Sequence, residues 1–461
     1  MPVATIESRS PQDPSDLVVA VPDSDAETVA GVFATARRAS SVWAGGGALA
    51  RANAVNAAAD AVEGAAKELT SLIVREVGKP VGEAAGEVAR AVGILRYHAQ
   101  AALDPDGETY PSAAGGPALL LSRRRPRGVA GLITPWNFPI AIPLWKAAPA
   151  LAYGNAVVLK PASPACAVAL RVAELFGQVL PDGVFQVVTG RSGTARAVIE
   201  RADVVSFTGS VEVGFAVGAA AAARGIPFQA EMGGHNASIV LPDADLGAVA
   251  ATVAGAAMGY AGQKCTATGR VVVVGDPGPF TEALRAAVEG LGTGDPAADG
   301  VVVGPVIDLE ARDEVVGAAQ EAAATGGRVV TGGTRGQGDG WFVAPTLVDR
   351  VDPGARLAQE EVFGPIAVIL PAADPDEAVA IANGVPYGLV TSVFTRDLDR
   401  ALDLSARLDT GLIRVNQPTS GVDFHAPFGG EKQSSMGPRE QGKQARELYT
   451  STRTITIAPA G

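Results

Sequence analysis

Residues 128–160 read GVAGLITPWNFPIAIPLWKAAPALAYGNAVVLK, and this stretch indicates the fold class. The apolar run Gly128–Ile133 predicts a strand, the spacing over Ile140–Leu151 predicts a helix, and Asn155–Lys160 predicts a second strand. The alternation continues to Ala230 through further short apolar strands, each followed by a helical pattern. These strands are Val184–Val188 and Val204–Phe207. Strands that alternate with helices predict a parallel sheet covered on both faces, with a ligand site at the carboxyl ends of its strands.

The chain before this region is mainly helical. From Ala26 to about Ala102, apolar residues recur at three- and four-residue spacing, and the clearest break is Gly78-Lys79-Pro80. After Asp104 the composition changes. Residues Ala118–Arg124 then predict an extended strand that leaves the main body.

The chain after this region predicts a second α/β unit over about 238–416. Its helices and strands are predicted at Leu246–Tyr260, Leu309–Ala324, Arg270–Val274 and Ile366–Leu370. Residues Gly421–Gly442 are rich in Gly, Pro and Ser and lack periodicity, as an active-site loop would. The tail Glu447–Ile457 predicts a terminal strand, whose free edge needs cover from another chain.

The composition is that of a globular enzyme. Hydrophobic residues make up 47% and charged residues 19% of the 461 residues, so two or three domains are expected. The formal net charge is −12, which argues against a nucleic-acid partner. The densest basic patch, Arg123–Arg127, is interrupted by Pro126 and is interpreted as a solvated or subunit-facing loop, with a phosphate contact as the alternative.

Neither a membrane nor a metal is expected as a partner. The uncharged stretch Leu246–Gln263 is dominated by Ala and Gly, which favours a buried helix. The segment Met1–Asp25 lacks the pattern of a signal peptide, so a cytoplasmic location is expected. The two cysteines, Cys166 and Cys265, are about a hundred residues apart and indicate neither a disulfide framework nor a cysteine-based zinc site.

Cys265 is the candidate nucleophile. It stands in Gly262-Gln-Lys-Cys-Thr-Ala267, after a helical pattern and a glycine, among polar neighbours. A buried structural cysteine is the alternative, but such surroundings are rare for an inert core cysteine. Because a cysteine attacks as its thiolate, some group must lower the thiol pKa or accept its proton. No histidine lies nearby in sequence, so a Cys–His pair is not indicated.

Two further candidates follow predicted strands. Glu231, in Gln229-Ala-Glu-Met-Gly-Gly-His235, is the candidate base, with a surface glutamate as the alternative. Asn137, in Thr134-Pro-Trp-Asn-Phe-Pro139, is enclosed by two prolines and two aromatic residues. It is expected to be a fixed amide donor, with an ordinary tight turn as the alternative.

Other strand ends suggest a phosphate site. Thr208-Gly-Ser210 leads from a strand into a helix, whose N–H groups and dipole suit a pyrophosphate, with a plain strand-to-helix turn as the alternative. Lys160 ends another strand on the same expected edge, although a solvated lysine fits equally well. The nearest match to Gly-x-Gly-x-x-Gly, Gly45–Ala50, follows a helical pattern and is interpreted as a chance match.

Together these motifs resemble the aldehyde dehydrogenase superfamily over essentially the whole chain. The motifs occur in the family's order, and those not yet quoted are Glu360-Glu-Val-Phe-Gly-Pro365, Pro386-Tyr-Gly-Leu389, Asn416 and Pro427-Phe-Gly-Gly430. The resemblance implies an α/β fold with a Rossmann-like dinucleotide-binding domain (1–106 and 126–232) and an α/β catalytic domain (233–442). It also implies a small β oligomerisation element (107–125 and 443–461) and a homodimer or homotetramer.

The resemblance also implies roles. Cys265 matches the nucleophile that attacks the aldehyde, Asn137 with the Cys265 N–H matches the oxyanion site, and Glu231 matches the base that activates water to hydrolyse a thioester. The implied dinucleotide-binding residues are Pro135, Trp136, Lys160, Ser163, Thr208, Gly209, Ser210, Gly233, Glu361 and Phe363. The implied substrate contacts are Phe138, Trp145, Lys264, Thr266 and Phe424.

The implied cofactor is NAD or NADP. Lys160 and Glu361 match residues that hold the two riboses of the dinucleotide. Where NAD-preferring relatives often place a glutamate on the adenosine ribose, this chain has Ser163. Since a serine does not repel a 2′-phosphate, NADP acceptance is predicted.

The substrate is predicted from more specific stretches. Residues 135–146, 421–430 and 434–442 are similar to the branch that oxidises 2,5-dioxopentanoate (α-ketoglutarate semialdehyde). That branch tends to carry an arginine where this chain has Glu431, which would not help bind a carboxylate. A general aliphatic or aromatic aldehyde dehydrogenase is therefore the alternative.

Two further alternatives lie outside simple aldehyde oxidation. In a CoA-acylating enzyme the thioester passes to CoA, and Glu231 argues against it because that chemistry needs no base for water. An inactive dinucleotide-binding scaffold is disfavoured because Cys265, Asn137 and Glu231 occur together.

Overall fold

The computed structural model describes residues 4–113 and 115–460, so residues 1–3 of the predicted N-terminal segment lie outside the described residues. The first part of the chain is an antiparallel hairpin followed by four helices and two further strands. Its elements are β1 Thr5–Ser10, β2 Asp13–Pro22, α1 Ala26–Gly45, α2 Ala48–Gly64, α3 Ala66–Val77, α4 Val81–Ala101, β3 Thr109–Tyr110 and β4 Leu119–Pro126. The hairpin is absent from the sequence-based expectation.

The break predicted at Gly78-Lys79-Pro80 separates α3 from α4. Gly78 has a φ of 64°, and a Cβ there would meet Pro11 and Pro305, so only glycine fits without strain. Lys79 is fully buried and pairs with Glu87 in the second turn of α4. The break therefore anchors α4, which later forms one wall of the site.

A parallel sheet follows, as the alternation of residues 128–230 predicts. Its elements are β5 Val129–Thr134, α5 Ala141–Ala152, β6 Ala156–Pro161, α6 Cys166–Gly177, β7 Phe185–Val187, α7 Ser192–Ile199, β8 Val204–Thr208, α8 Val211–Ala223 and β9 Phe228–Glu231. Every residue of β5 is buried, which explains its unbroken apolar pattern. The strand order is β9-β8-β5-β6-β7, so the direction of winding reverses at β5. Ligands of such sheets bind at this reversal, beside the ends of β5 and β8.

The second sheet forms from the next part of the chain. Its region contains β10 Asn236–Val240, α9 Leu246–Met258, β11 Thr268–Val274, α10 Gly278–Glu289, α11 Leu309–Ala324, β12 Arg328–Thr331, β13 Thr346–Asp349, α12 Arg356–Gln359, β14 Ile366–Ala372, α13 Pro375–Asn383, β15 Tyr387–Gly388, β16 Val390–Phe394, α14 Leu398–Arg407 and β17 Leu412–Val415. The order is β12-β13-β14-β11-β10-β16-β17, and all neighbours are parallel except β12 and β13. Within the described residues, no helix is long and apolar enough to cross a membrane.

The C-terminal part returns to both earlier regions. Its elements are β18 Glu431–Lys432, β19 Ser435–Met436, α15 Ala445–Tyr449 and β20 Thr450–Ile457. Strand β19 pairs with β9, and β20 pairs with β4 along its whole length, with β3 as the third strand. The predicted tail strand Glu447–Ile457 is wrong at its start, since 447–449 are helical and Leu448 and Tyr449 are buried in the core.

Two other predicted boundaries also change. The helix predicted to reach Tyr260 ends at Met258, because Tyr260 and Ala261 have positive φ. The basic patch Arg123–Arg127 was predicted as a loop, but its first four residues belong to β4, which ends at Pro126. Arg123 and Arg124 form ion pairs at the surface of this three-stranded sheet.

Candidate active site

Cys265 follows a strained turn between α9 and β11. Tyr260 and Ala261 have φ values of 55° and 51°, and such conformations cost a non-glycine residue about 1–2 kcal/mol each. Two interactions maintain the turn. The side chain of Tyr260 is buried, and the side chain of Gln263 accepts a hydrogen bond from the N–H of Ile307 at 2.8 Å. The thiol of Cys265 is thus held by a rigid backbone, and it is half-buried.

Two cavities meet at Cys265. The larger, of about 370 Å³, joins it to the carboxyl ends of β5 and β8. The smaller, of about 230 Å³, joins it to one face of α4 and to residues 420–422. Because one thiol borders both cavities, it can react with a compound in one while facing a compound in the other.

The larger cavity gathers most of the residues predicted to bind a dinucleotide. Its lining includes Pro135, Trp136, Thr208, Gly209, Ser210, Gly233, Glu361 and Phe363. Two of the predicted residues, Lys160 and Ser163, lie outside this lining. Lys160 lies on β6 beside Ile133 of β5, where its buried ammonium donates to the carbonyl of Pro161 at 2.9 Å. Ser163 begins the half-buried turn that follows β6, so both residues lie at the same edge of the sheet.

Asn137 lines the larger cavity with Cys265. Its side chain is buried, and Nδ2 donates a hydrogen bond to the backbone carbonyl of Gln263 at 2.9 Å. Since a primary amide has two N–H donors, one of them fixes the amide and the second stays available. Asn137 follows β5 of the first sheet, whereas Cys265 precedes β11 of the second sheet.

Glu231 is the last residue of β9, and its buried carboxylate is held from two sides. It accepts hydrogen bonds from Ser435 Oγ at 2.5 Å and from Gln229 Nε2 at 2.8 Å. Burial, and then the charge of Glu440, hold the pKa of Glu231 well above its usual range, although Lys146 and both hydrogen bonds act in the opposite direction. A carboxyl group with a raised pKa holds a proton more readily near neutral pH, which suits a general base.

The comparisons with known proteins settle the family. The sequence profile described as "Aldehyde dehydrogenase family" matches residues 2–455. The chain belongs to this family. The dehydrogenase is 38% identical to the alpha-ketoglutaric semialdehyde dehydrogenase of Bacillus subtilis, over 98% of this chain and 95% of that relative. It is 39% identical to the alpha-ketoglutarate semialdehyde dehydrogenase of Haloferax volcanii, with the same two coverages.

A solved structure gives the same result. The betaine aldehyde dehydrogenase of Staphylococcus aureus in complex with NAD+ superposes with a TM-score of 0.94 at 30% identity, and the match covers 98% of this chain and 91% of that one. The expected aldehyde dehydrogenase-like α/β fold is thereby confirmed. The chain is an oxidoreductase that acts on aldehydes with NAD or NADP.

The larger cavity of the dehydrogenase fits a dinucleotide. The hydroxyl of Thr208 is buried without a hydrogen-bond partner among the described residues, so it can serve a ligand oxygen. A Cβ on Gly233 would collide with the carboxylate of Glu361. Glycine at this position therefore lets that carboxylate lie directly against the backbone of the cavity lining. Trp136 and Phe363 form an edge-to-face aromatic pair with ring centroids 5.8 Å apart, a surface that suits a flat ring.

The thiol of the dehydrogenase is not activated by the protein alone. Burial, then the charges of Glu361 and Glu231, raise the pKa of Cys265 to about 12. Burial also raises the pKa of Glu361 to about 8. Of the two expected routes, the side chains around Cys265 do not lower the thiol pKa, so activation needs a proton acceptor or a positive charge brought by a ligand.

The smaller cavity contains four of the five predicted substrate contacts, Phe138, Trp145, Lys264 and Thr266. Phe424 lies outside its lining and packs instead against Gly93 of α4. Sequence reasoning missed the α4 wall, formed by Glu83, Gly86, Glu87 and Arg90, and also missed Phe428. The helical spacing of the α4 residues is visible in the sequence, but only the fold shows that this face borders Cys265.

A buried polar chain behind Glu231 was also missed. Lys146 pairs with Glu440, and its Nζ donates to the hydroxyl of Ser206 at 2.8 Å. That hydroxyl donates in turn to the side chain of Gln229 at 2.7 Å, and Gln229 bonds to Glu231. The chain of contacts links the candidate base to an ion pair whose partners are separated by 294 residues in sequence. No cluster of metal-ligating side chains occurs in residues 4–113 and 115–460.

Proposed function

We propose that the enzyme oxidises 2,5-dioxopentanoate to 2-oxoglutarate through a thiohemiacetal and a thioester on Cys265. The observation that carries the proposal is that Cys265 borders both cavities, one suited to a dinucleotide and one open to an aldehyde. Cys265 first loses its thiol proton to solvent, and its thiolate then attacks the aldehyde carbon and forms the carbon–sulfur bond of the thiohemiacetal.

Negative charge then develops on the former aldehyde oxygen. The second N–H of the Asn137 amide and the backbone N–H of Cys265 are the donors proposed to receive it. Because the first N–H of Asn137 holds the carbonyl of Gln263, the amide is oriented before the reaction starts. Donors that need no reorganisation stabilise such charge most effectively.

Oxidation of the thiohemiacetal gives the thioester. An oxidised NAD or NADP held in the larger cavity would supply the acceptor for the hydrogen and the two electrons that the carbon loses, and a positive charge that favours the thiolate. Trp136 and Phe363 shape the wall that orients this cofactor, and Glu361 is proposed to hold one of its riboses.

Hydrolysis of the thioester completes the reaction. Glu231 is proposed to take a proton from water, which attacks the thioester carbon and releases the Cys265 thiolate. Two observations support this role. The charge of Glu231 is near enough to raise the pKa of Cys265, and the raised pKa of Glu231 lets it hold the proton. Ser435 and Gln229 keep the carboxylate in position.

The choice of substrate is supported by the relatives and by one residue. Both named relatives are semialdehyde dehydrogenases of α-ketoglutarate. Glu431, which would oppose a carboxylate, pairs with Arg439 and does not line the smaller cavity. The sequence-based objection to an anionic substrate therefore loses its physical basis.

We further propose a homo-oligomer in the cytoplasm, with the domain bounds 1–106 and 126–232, 233–442, and 107–125 and 443–461. Support for assembly comes from the sheet of β3, β4 and β20, where β20 is an edge strand. Large apolar side chains are exposed on this sheet, at Tyr110, Leu119 and Ile457. A second copy of the chain would cover both the edge and these side chains.

The test is the formation of reduced cofactor with purified enzyme. The panel contains 2,5-dioxopentanoate, hexanal and benzaldehyde, each with NAD and with NADP, in the presence and absence of CoA. Turnover that needs no CoA, is highest in kcat/KM for 2,5-dioxopentanoate and is lost in Cys265→Ser supports the proposal. Cys166→Ser is the matched control and keeps activity, since Cys166 is buried away from both cavities. Equal kcat/KM for all three aldehydes contradicts the substrate, and cofactor binding without turnover contradicts the reaction.

A further inference from the structure

Arg90 lies on the face of α4 that borders Cys265. The residues of α4 that line the smaller cavity, Glu83, Gly86, Glu87 and Arg90, are spaced by three, four and seven positions and so share one side of the helix. Arg90 is half-buried, and its guanidinium makes no hydrogen bond or ion pair within the part of the chain that the structure describes.

The other charged groups of this cavity are already neutralised. Glu83 pairs with Lys264 at 2.8 Å, so these two charges cancel. Glu87 pairs with buried Lys79, and its second oxygen accepts hydrogen bonds from the N–H groups of residues 140 and 141. Arg90 is therefore the one charged side chain lining this cavity that has no partner of opposite charge among the described residues.

A second donor in the same cavity is also unsatisfied. Trp145 is 5% exposed, and its indole N–H has no hydrogen-bond partner among the residues described. Because a buried N–H group normally has a hydrogen-bond acceptor, an oxygen atom of a bound ligand would satisfy this indole N–H. A cation and a free N–H in one cavity suit a ligand that carries several oxygens rather than a hydrocarbon chain.

We propose that Arg90 binds the carboxylate of the substrate while the aldehyde at the other end of the molecule reaches Cys265. This inference rests on the proposed function and adds the residue that selects carboxylate-bearing semialdehydes over neutral aldehydes. A guanidinium binds a carboxylate through two parallel N–H···O bonds, which gives orientation as well as affinity. Arg90 is a specificity residue, and it takes no part in bond making.

The first experiment compares kcat/KM for 2,5-dioxopentanoate and for hexanal in the parent enzyme and in Arg90→Met. Loss of a charge-assisted hydrogen bond lowers kcat/KM for the semialdehyde about 10- to 100-fold, mainly through KM, and affects hexanal far less. Arg90→Lys keeps the charge without the two-pronged geometry and restores part of the loss. Arg96→Met is the matched control, since Arg96 is on the same helix but pairs with Asp60 and Glu63.

The second experiment needs neither cofactor nor turnover. Cys265 is alkylated at one pH with iodoacetate, which is anionic, and with iodoacetamide, which is neutral and of similar size. Mass spectrometry of the peptide that contains Cys265 gives both rates. The positive field of Arg90 favours the anionic reagent, so Arg90→Met lowers the ratio of the two rates several-fold while Arg96→Met leaves it unchanged.

The two experiments separate this inference from the proposed function. If the parent oxidises no aldehyde but its alkylation ratio falls in Arg90→Met, the proposed function fails and the anion site stands. If the parent is active and Arg90→Met lowers kcat/KM equally for both aldehydes, or leaves both unchanged, the inference is overturned. An alkylation ratio that does not respond to Arg90→Met overturns it in either case.

Discussion

The reactivity of Cys265 should depend on Glu361 in a way that pH reveals. Both residues line the larger cavity, and the negative charge of Glu361 is the largest cause, after burial, of the raised pKa of the thiol. Glu361→Gln removes this charge and keeps the shape of the side chain. Since a nearby anion disfavours the thiolate, its removal lowers the pKa of Cys265 and increases its reactivity.

The two pKa values give an upper limit for the effect of Glu361, because burial is the larger cause of the shift at Cys265. The ordinary thiol pKa is 9.0 and that of Cys265 is about 12, so the thiolate fraction at a pH below both is about a thousandfold smaller. At pH 8 about one thiol in ten thousand is ionised. The pKa of Glu361 is about 8, so this carboxyl is charged above that pH and neutral below it. Parent and variant should therefore react alike below about pH 7 and diverge increasingly above pH 8.

The assay is the rate of alkylation of Cys265 by iodoacetamide against pH, without cofactor, followed by mass spectrometry of the cysteine-containing peptide. Glu360→Gln is the matched control, because Glu360 is the neighbouring glutamate but is exposed and pairs with Arg356. A parent rate that titrates with a midpoint at or below 9 would refute the reasoning. So would identical profiles for the Glu361→Gln and Glu360→Gln variants.

Four further changes test the remaining parts of the site. Asn137→Ala should lower kcat about 100- to 1000-fold in steady-state assays, with KM little changed, because an oxyanion donor is lost. Glu231→Gln should form the thioester but hydrolyse it slowly, so that stopped-flow absorbance shows a burst of reduced cofactor and then a slow phase. Ser163→Glu should raise KM for NADP about tenfold or more relative to NAD, since a carboxylate repels the 2′-phosphate. Lys146→Met leaves Glu440 buried without its cation and should destabilise the fold by about 3–5 kcal/mol in denaturant unfolding.

For each of these four substitutions, one result would contradict the prediction. A kcat for Asn137→Ala within threefold of the parent value would mean that the Asn137 amide is not a donor of the oxyanion site. A Glu231→Gln variant with no burst, or with normal steady-state turnover, would assign water activation elsewhere. Unchanged cofactor selectivity in Ser163→Glu would separate Ser163 from the adenosine ribose, and an unshifted unfolding midpoint in Lys146→Met would mean that Glu440 finds another partner.

Local sequence patterns were sufficient for the central strands of the first sheet and for one helix of the second region. The strands β5, β6 and β8 were predicted within one or two residues, because a strand buried on both faces must be apolar throughout. The helix α11 was predicted with its bounds unchanged, since a capping aspartate and a polar turn mark its two ends. The N-terminal hairpin was missed because β1 buries Ile6, Ser8 and Ser10 in alternation, and two of these three are serines, so the apolar period of a strand is absent.

Local patterns failed where a long-range contact decides the structure. The tail was predicted as a strand from Glu447, but Leu448 and Tyr449 gain more by packing in the distant core as a helix turn. The turn before Cys265 keeps positive φ at non-glycine residues only because burial of Tyr260 offsets the strain. Neither outcome is encoded in the few residues around it.

The sequence by itself determined the class of fold, the identity of the motifs and their order, because these depend on local spacing and on residue type. Only the tertiary structure decided which side chains meet: that one thiol borders two cavities, that Lys146 pairs with Glu440, and that Arg90 has no counter-charge among the described residues. The physical reason is that electrostatic energy and burial depend on distance in space. Residues hundreds of positions apart set the pKa of a group to which no local pattern connects them.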